Sequence, residues 1–449
     1  MDDKNAQLQQ VAERLTAAGI DVLRIGYADL IGTERGRDVL VSMMARALGH
    51  GLGFCRAVFH TSPMADVVPV PGGLDVGLPD VLAFPDLSTV VPLPWEPGVA
   101  HCIADIRLPD GAPAEESPRH VLRRVVEQFN QLGQTPIVGP ELEFFLLEPD
   151  ESAPCGWRRY GEAPGNVYVS GRKGDPENLL LDWLRRLGDY RIGVATANHE
   201  FASGQFEINL WHGEAMDAAD RAFRFRSAIK ELARAAGKQA TFMAKPFNDE
   251  GGSGFHLHFS TTDAEGRPLF DDPAAPDGLS RTARHAIAGI LKHAPAIAAF
   301  NNPTINSYKR FGPDTLAPWL IDWGLDNRSA MLRVPPERGA AARLELRLGD
   351  ATANPYLAIA SVLAAAYLGI RDELTPPPPL EGYGYDADRS AMLPGDLSAA
   401  LDALEADDAI TEVMGKTLVE SFVTYKRNEL ERFRQYVTDW EFREYAYHI

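Results

Sequence analysis

At 449 residues, 45% hydrophobic and 24% charged, the chain has a globular composition with room for two or three domains and a large core. Lys and Arg number 44 against 63 Asp and Glu, and the net charge of −19 argues against binding a nucleic-acid backbone, though not against a small anion held by local arginines. Cys55, Cys102 and Cys155 are too few and scattered for a disulfide framework or a thiolate zinc site. The N-terminus shows no apolar signal region, and the longest apolar run, Leu357 to Ile370, is too short to span a bilayer. A cytoplasmic setting with no membrane partner is expected.

Leu8, Val11 and Leu15 recur at helical spacing before Gly19, which predicts a helix over 8–18. Extended pieces follow at 21–27, 38–41, 67–70 and 99–107, with one helical stretch at 42–48. They make a small mixed α/β module, and the acidic, proline-bearing stretch 109–117 reads as its exit linker. Ser117 is a candidate N-cap with Pro118 at the first helical position, and an apolar stripe from Val121 to Leu132 is closed by Gly133. A strand around Glu141 comes next, then a polar loop over 149–175 and a helix ending near Gly188. The region 195–210 reads as extended, 217–237 as a long helix, and 240–245, 254–260 and 342–348 as strands. From Asn354 the chain is largely helical around a proline-rich break at 375–379.

The stretch Gly139-Pro140-Glu141-Leu142-Glu143-Phe144-Phe145 organises the rest. Side chains alternate along a strand, so Glu141 and Glu143 share one face. Two carboxylates side by side on an apolar surface need a cation or a shared proton. Three more stretches repeat the design: Gln205 to Leu210 with Glu207, Phe255 to Phe259 with His256 and His258, and Arg343 to Leu348 with Glu345. A solvated sheet face would give the same alternation. The chemistry of this face, joined by Glu200, favours another reading. Carboxylate oxygen with a little imidazole suits Mg²⁺ or Mn²⁺ better than zinc. Arg310, Arg328, Arg333, Arg343 and Arg347 crowd one span of an otherwise acidic chain, and their forks match carboxylate and phosphate. Cations beside a divalent-metal site point to phosphoryl transfer, and with no GxxxxGK[ST] loop a P-loop nucleotide site is not indicated.

With these residues in view, the chain resembles the glutamine synthetase family of type I architecture over nearly its whole length. The motifs that carry the resemblance are Gly139 to Phe145, His199-Glu200 with Gly204 to Glu207, Lys245-Pro246, Gly252 to His258, Asn302 to Arg310, Asn327-Arg328-Ser329 and Arg343 to Arg347. The resemblance implies an α+β fold, with an N-terminal β-grasp-like domain over 1–112 and a catalytic domain with a curved antiparallel sheet over 113–449. It implies two Mg²⁺ or Mn²⁺ ions, one held by Glu143, Glu200 and Glu207 and the other by Glu141, His256 and Glu345. Arg310 and Arg347 would bind glutamate beside the Gly252 backbone. Arg328, Arg333 and Arg343 would face the ATP phosphates, with His258 and Ser260 near the nucleotide. Arg310, Arg328 and Arg347 would be the catalytic arginines. Members look like double-ring homododecamers whose active sites are completed by a neighbour's N-terminal domain.

Two departures matter. Ammonia-using relatives carry an Asp within Phe-Asp-Gly-Ser-Ser where this chain has Phe54-Cys55-Arg56-Ala57, and a Glu before Ala-Pro where this chain has Leu316-Ala317-Pro318. Gly251 also replaces the Asn those relatives usually carry beside the glutamate. Losing both carboxylates removes an ammonium pocket and leaves a larger or more apolar one, as in the glutamate–amine ligases such as γ-glutamylpolyamine and γ-glutamylethanolamide synthetases. The expected activity is ATP-dependent joining of glutamate to a primary amine. Ordinary glutamine synthetase and a catalytically silent family member are the alternatives.

Overall fold

The computed structural model describes residues 2–153, 155–162, 167–312, 315–385 and 391–449, so parts of the expected 149–175 loop lie outside the described residues. The N-terminal region runs α1 (Asp2–Ala17), β1 (Val22–Ala28), β2 (Glu34–Leu40), α2 (Met44–Leu48), β3 (Leu52–Cys55), β4 (Asp80–Pro85), β5 (Val91–Pro92) and β6 (Val99–Arg107). Its mixed sheet has the order β2-β1-β6-β4-β3, with β5 on β6, and β1 runs parallel to β6. One set of its apolar residues, including Leu23, Ile25 and Tyr27, packs with α1 and α2 residues such as Leu8 and Met44. Another set, including Leu30, Val91, Leu93 and Ile103, enters the large core of the following helices. The N-terminal sheet is therefore wedged between two cores.

The chain continues as α3 (Pro118–Gln131), β7 (Thr135–Pro149), β8 (Trp157–Arg159), α4 (Leu179–Asp189), β9 (Val194–His199), β10 (Gln205–Leu210), β11 (Gly213–Glu214), α5 (Ala215–Ala235), β12 (Gln239–Thr241) and β13 (Phe255–Thr262). Then come α6 (Arg281–Asn301), β14 (Trp323–Leu325), β15 (Leu332–Val334), β16 (Leu344–Leu346), α7 (Pro355–Arg371), α8 (Leu397–Ala406), α9 (Asp408–Met414), α10 (Lys416–Arg434) and α11 (Asp439–Tyr445). The second sheet is curved and ten-stranded, in the order β14-β15-β16-β13-β7-β10-β9, with β8, β11 and β12 also on β7. Helices flank it, so the architecture is α+β. Apolar residues of α7 are buried on all sides, which explains its unbroken Leu-Ala-Ile-Ala run. Gly289 of α6 and Gly369 of α7 let those helices meet backbone to backbone: a Cβ on Gly289 would stand 2.6 Å from the Gly369 nitrogen. Among the described residues no helix is long and apolar enough to cross a membrane.

Several local expectations change. No strand forms at 67–70, because the chain turns at Ser62 to Asp66 (Ala65 has φ 69°) and only an isolated bridge joins Thr61 to Val67. Val68 and Val70 are apolar for burial, not for pairing. The strand expected at 240–245 stops at Thr241, and β3 and β4 were not expected at all. Ser117 occupies the N-cap position of α3, but its side chain makes no capping hydrogen bond. The 109–117 stretch is not a loose linker either: the Ala114 amide bonds to the Ile106 carbonyl, and Glu116 is buried.

Arg119, 6% exposed, fastens the N-terminal sheet to α5. Its Nε and Nη2 donate to both oxygens of Asp220 on α5 at 2.9 and 2.8 Å, its Nη1 to Asp105 at 2.6 Å and its Nη2 also to Asp86 at 2.7 Å. Tyr356 of α7 donates to Asp220 as well, at 2.7 Å. Removing one member of such a buried set strands the others without compensation. Arg119→Ala is expected to destabilise the fold by about 3–5 kcal/mol. Urea denaturation of wild type and variant checks this, and a loss under 1 kcal/mol would show that the network contributes no more than surface pairs do.

Candidate active site

The register of the second sheet collects the chemistry. In antiparallel pairs, residues directly opposite one another share a face. Glu143 of β7 lies opposite Glu207 of β10, and Glu141 lies between Asn209 of β10 and His256 of β13. His258 of β13 lies opposite Glu345 of β16, which lies opposite Arg333 of β15. Glu200 follows β9 and accepts from Asn198 at 2.7 Å. Among the described residues, Glu141, Glu207 and His256 offer ligand atoms that all lie within 4.8 Å of one another. That set takes members from both triads that the family resemblance implies.

Amides hold this face in place. Gln205 donates from Nε2 to Glu143 at 2.9 Å and to the Gly252 carbonyl at 3.0 Å, and the Gly254 amide donates to Glu143 at 2.8 Å. Asn209 bridges Glu141 (2.8 Å) and Glu207 (3.2 Å). Sequence reasoning missed Gln205, Asn209 and Asn198 as supports. Their signal was present, since Gln205 and Asn209 have the same parity as Glu207 on β10.

The carboxylates fall into two electrostatic classes. Burial and the neighbouring Glu141, Glu143 and Glu200 push Glu207 up to about 10. Burial and Glu143 push Glu200 up to about 7. Burial opposes ionisation of Glu141 too, but hydrogen bonds with His256 (2.8 Å) and His258 (3.4 Å) outweigh it and hold the group well below the ordinary range. Glu345 follows the same logic: despite burial, His258 and Arg347 hold it at about 2. Its two oxygens accept from Arg333 (2.6 Å) and Arg347 (2.7 Å). From the sequence, removal of Glu143 or Glu345 is expected to relieve repulsion and leave the fold largely intact. For Glu345 the reverse holds: its loss leaves the buried Arg347 with no carboxylate partner among the described residues, while Arg333 keeps Asp326. At the Glu141–Glu207–His256 end no arginine offsets Glu207, whose ionisation its neighbours oppose, and the donor set suits a hard divalent cation in ligand type.

Beside Glu345 opens a cavity of about 530 Å³ lined by Arg328, Arg333, Arg343, His258, Ser260 and Trp211, among others. Arg343 donates to His258 Nδ1 at 3.3 Å, while Arg328 is exposed. Trp211 stacks on His212 with centroids 5.2 Å apart, an aromatic edge to the cavity that the sequence reading did not single out. On the far side, Arg310 is buried, forms no ion pair among the described residues, and packs on Gly252, where a Cβ would come within 2.8 Å of its Cγ. Among the described residues the buried Arg347 Nε has no hydrogen-bond partner. Two buried cations with free donors make an anion site. Leu316 is 50% exposed, with φ 59°. Cys55 stays on the N-terminal sheet, half-buried, its thiol 3.8 Å from the Leu78 carbonyl, and it does not line this chain's own cavity.

A curved sheet, antiparallel except for β14 against β15, gathers acidic metal-ligand candidates at one end and arginines at the other, as an enzyme that works on anions beside a divalent cation requires. The glutamine synthetase catalytic-domain model matches residues 115–445. The chain is 36% identical to the glutamine synthetase of Methanocaldococcus jannaschii over 98% of both chains, and 35% identical to that of Thermotoga maritima over 98% and 99%. Among solved structures it is similar to apo GmaS, a γ-glutamylmethylamide synthetase (TM-score 0.86, 32% identity, 97% and 99% covered), and to a GmaS–ADP complex (TM-score 0.85, 33% identity, 97% and 99% covered). The chain belongs to the glutamine synthetase family. It is an ATP-dependent, C–N bond-forming ligase of a family that uses Mg²⁺ or Mn²⁺.

A metal at this face must displace protons. At pH 7 Glu207 is protonated and Glu200 is near its midpoint, so loading with Mn²⁺ is expected to release about one proton or more. Calorimetric titration in buffers of different ionisation enthalpy measures this, and metal binding without proton release contradicts it. Without metal, both groups bind protons more tightly folded than unfolded. Metal-free stability therefore falls as pH rises from the unfolded value of 4.5 towards about 10, and Glu207→Gln should flatten that slope.

Proposed function

We propose that this ligase joins the γ-carboxylate of glutamate to a small primary amine. The observation that carries the reading is Leu316, a half-exposed apolar side chain where ammonia-using relatives place a carboxylate. The resemblance to GmaS supports it. In this reading Arg310 and Arg347 hold the glutamate with the Gly252 backbone, and Arg328, Arg333 and Arg343 hold the ATP phosphates in the 530 Å³ cavity with His258 and Ser260. Glu141, Glu143, Glu200, Glu207, His256 and Glu345 would hold two divalent ions, which when bound would offset charge on the transferring phosphoryl group.

A glutamate γ-oxygen attacks the terminal phosphorus of ATP, ADP leaves, and γ-glutamyl phosphate forms. The amine nitrogen then attacks the acyl carbon, phosphate departs, and the nitrogen loses a proton. The arginines lower the barrier to the first step by offsetting charge on phosphate and carboxylate together. The enzyme acts as a homododecamer, and Cys55 of a neighbouring subunit closes the amine side of the site. The second reading is ordinary glutamine synthetase, favoured by the shared name of the curated relatives at 33–36% identity.

Steady-state kinetics with ammonium, methylamine, ethanolamine, putrescine and spermine separate these readings. The kcat/KM for ammonium is expected to fall below that of the best amine. Burial of each methylene is worth about 0.8 kcal/mol, so an ethyl-sized group gives roughly tenfold. Leu316→Glu should move the preference towards ammonium. A wild-type ratio above one favours glutamine synthetase, and no phosphate release with any nitrogen donor means a silent family member.

A further inference from the structure

The turn that carries Cys55 is tied down from three directions, and none of these ties belongs to the metal or arginine machinery. Arg56, the next residue, donates from Nε to Glu116 at 2.6 Å. The Glu116 side chain is 1% exposed and that of Arg56 17% exposed. On its other side the guanidinium lies against Gly72, where a Cβ would stand 2.8 Å from Arg56 Nη1 and 3.1 Å from its Cζ. Gly72 also has φ 79°, so two independent constraints demand glycine there. The Arg56 amide donates to the Pro79 carbonyl at 2.9 Å, and Cys55 pairs with Asp80 across β3 and β4.

Glu116 lies three residues before Arg119, the hub that binds Asp86, Asp105 and Asp220. The first turn of α3 and its approach thus hold the N-terminal sheet at two charged points: Arg119 grips β6 and the segment after β4, and Glu116 grips the turn after β3. A carboxylate–guanidinium pair with one member fully buried resists displacement, because separating it leaves a desolvated charge. The Cys55 turn therefore cannot drift independently of α3.

We propose that Glu116 is a positioning residue for the nitrogen donor, acting through Arg56 to fix the Cys55 wall of the amine site. This rests on the reading that Cys55 borders that site. Glutamate and ATP are held by other residues, so the effect should be confined to the third substrate. Glu116→Gln should raise the KM for the preferred nitrogen donor at least fivefold, leaving the KM values for ATP and glutamate within twofold of wild type. Gly72→Ala, which presses on the opposite side of the guanidinium, should reproduce the pattern. The exchanged pair Glu116→Arg with Arg56→Glu should recover at least part of the loss, which a merely structural disturbance would not.

The comparison uses whichever donor the wild type prefers, ammonium included. A wild-type preference for ammonium thus counts against the amine reading, and the donor KM alone decides the positioning role. Unchanged donor KM in both single variants, or parallel rises in all three KM values, overturns the proposal. Failure of both single variants to fold overturns it too, because the pair would then serve stability and not placement.

Discussion

Like charges held on one sheet face are the constraint on which this molecule turns. Glu141, Glu143, Glu200 and Glu207 converge half-buried or buried, and backbone pairing holds the strands that carry or flank them whether or not their charges are balanced. Moving β7 by one residue would carry Glu141 and Glu143 to the core face, so the register that builds the hydrophobic layer also builds the site. The fold balances the two ends differently. Glu345 is neutralised internally by Arg333 and Arg347, whereas Glu207 relies on a proton or a cation from outside. Permanent positive charge thus sits beside Glu345, and exchangeable positive charge on the side where the other carboxylates meet.

The remaining architecture keeps that face rigid. The large core fills the space behind the sheet with α3, α5, α6 and α7, and the glycine contact between α6 and α7 draws that layer tight. The N-terminal sheet contributes side chains to the same core while Arg119 ties it to α5. Polar links of this kind add geometry that apolar packing alone leaves loose, because an ion pair has a direction. The chain consequently presents Cys55 at a defined place, although Cys55 lies outside its own cavity.

Much of this was legible in the sequence, for particular reasons. Period-two alternation at Glu141, Glu207, His256 and Glu345 gave the shared face, because a half-buried strand leaves that signature. The long motifs gave the family. The helix over α7 announced itself as an unbroken apolar run. The failures are equally specific. Val68 and Val70 looked like a strand because β-branched residues suit burial as well as pairing. β3 and β4 escaped because Gly53 and flanking prolines break their pattern, and long-range pairing rescues them. The double engagement of Glu345 was invisible because Arg333 reaches it from another strand, and composition does not reveal which arginine faces which acid. Gln205 and Asn209 were read as alternation without being given a task.

The fifteen-residue β7 pairs with β8, β10, β11, β12 and β13, so it is the spine of the second sheet. Its partners arrive late during synthesis: Gln205 follows Glu143 by 62 residues and His256 follows Glu141 by 115. A ribosome that has released β7 has thus exposed a long apolar strand with both edges open and no neighbour to cover them. Such long-range closure is slow, and a partly made chain is vulnerable to joining another strand instead. The chain must therefore emerge through β13 before both edges of β7 can be covered along their length.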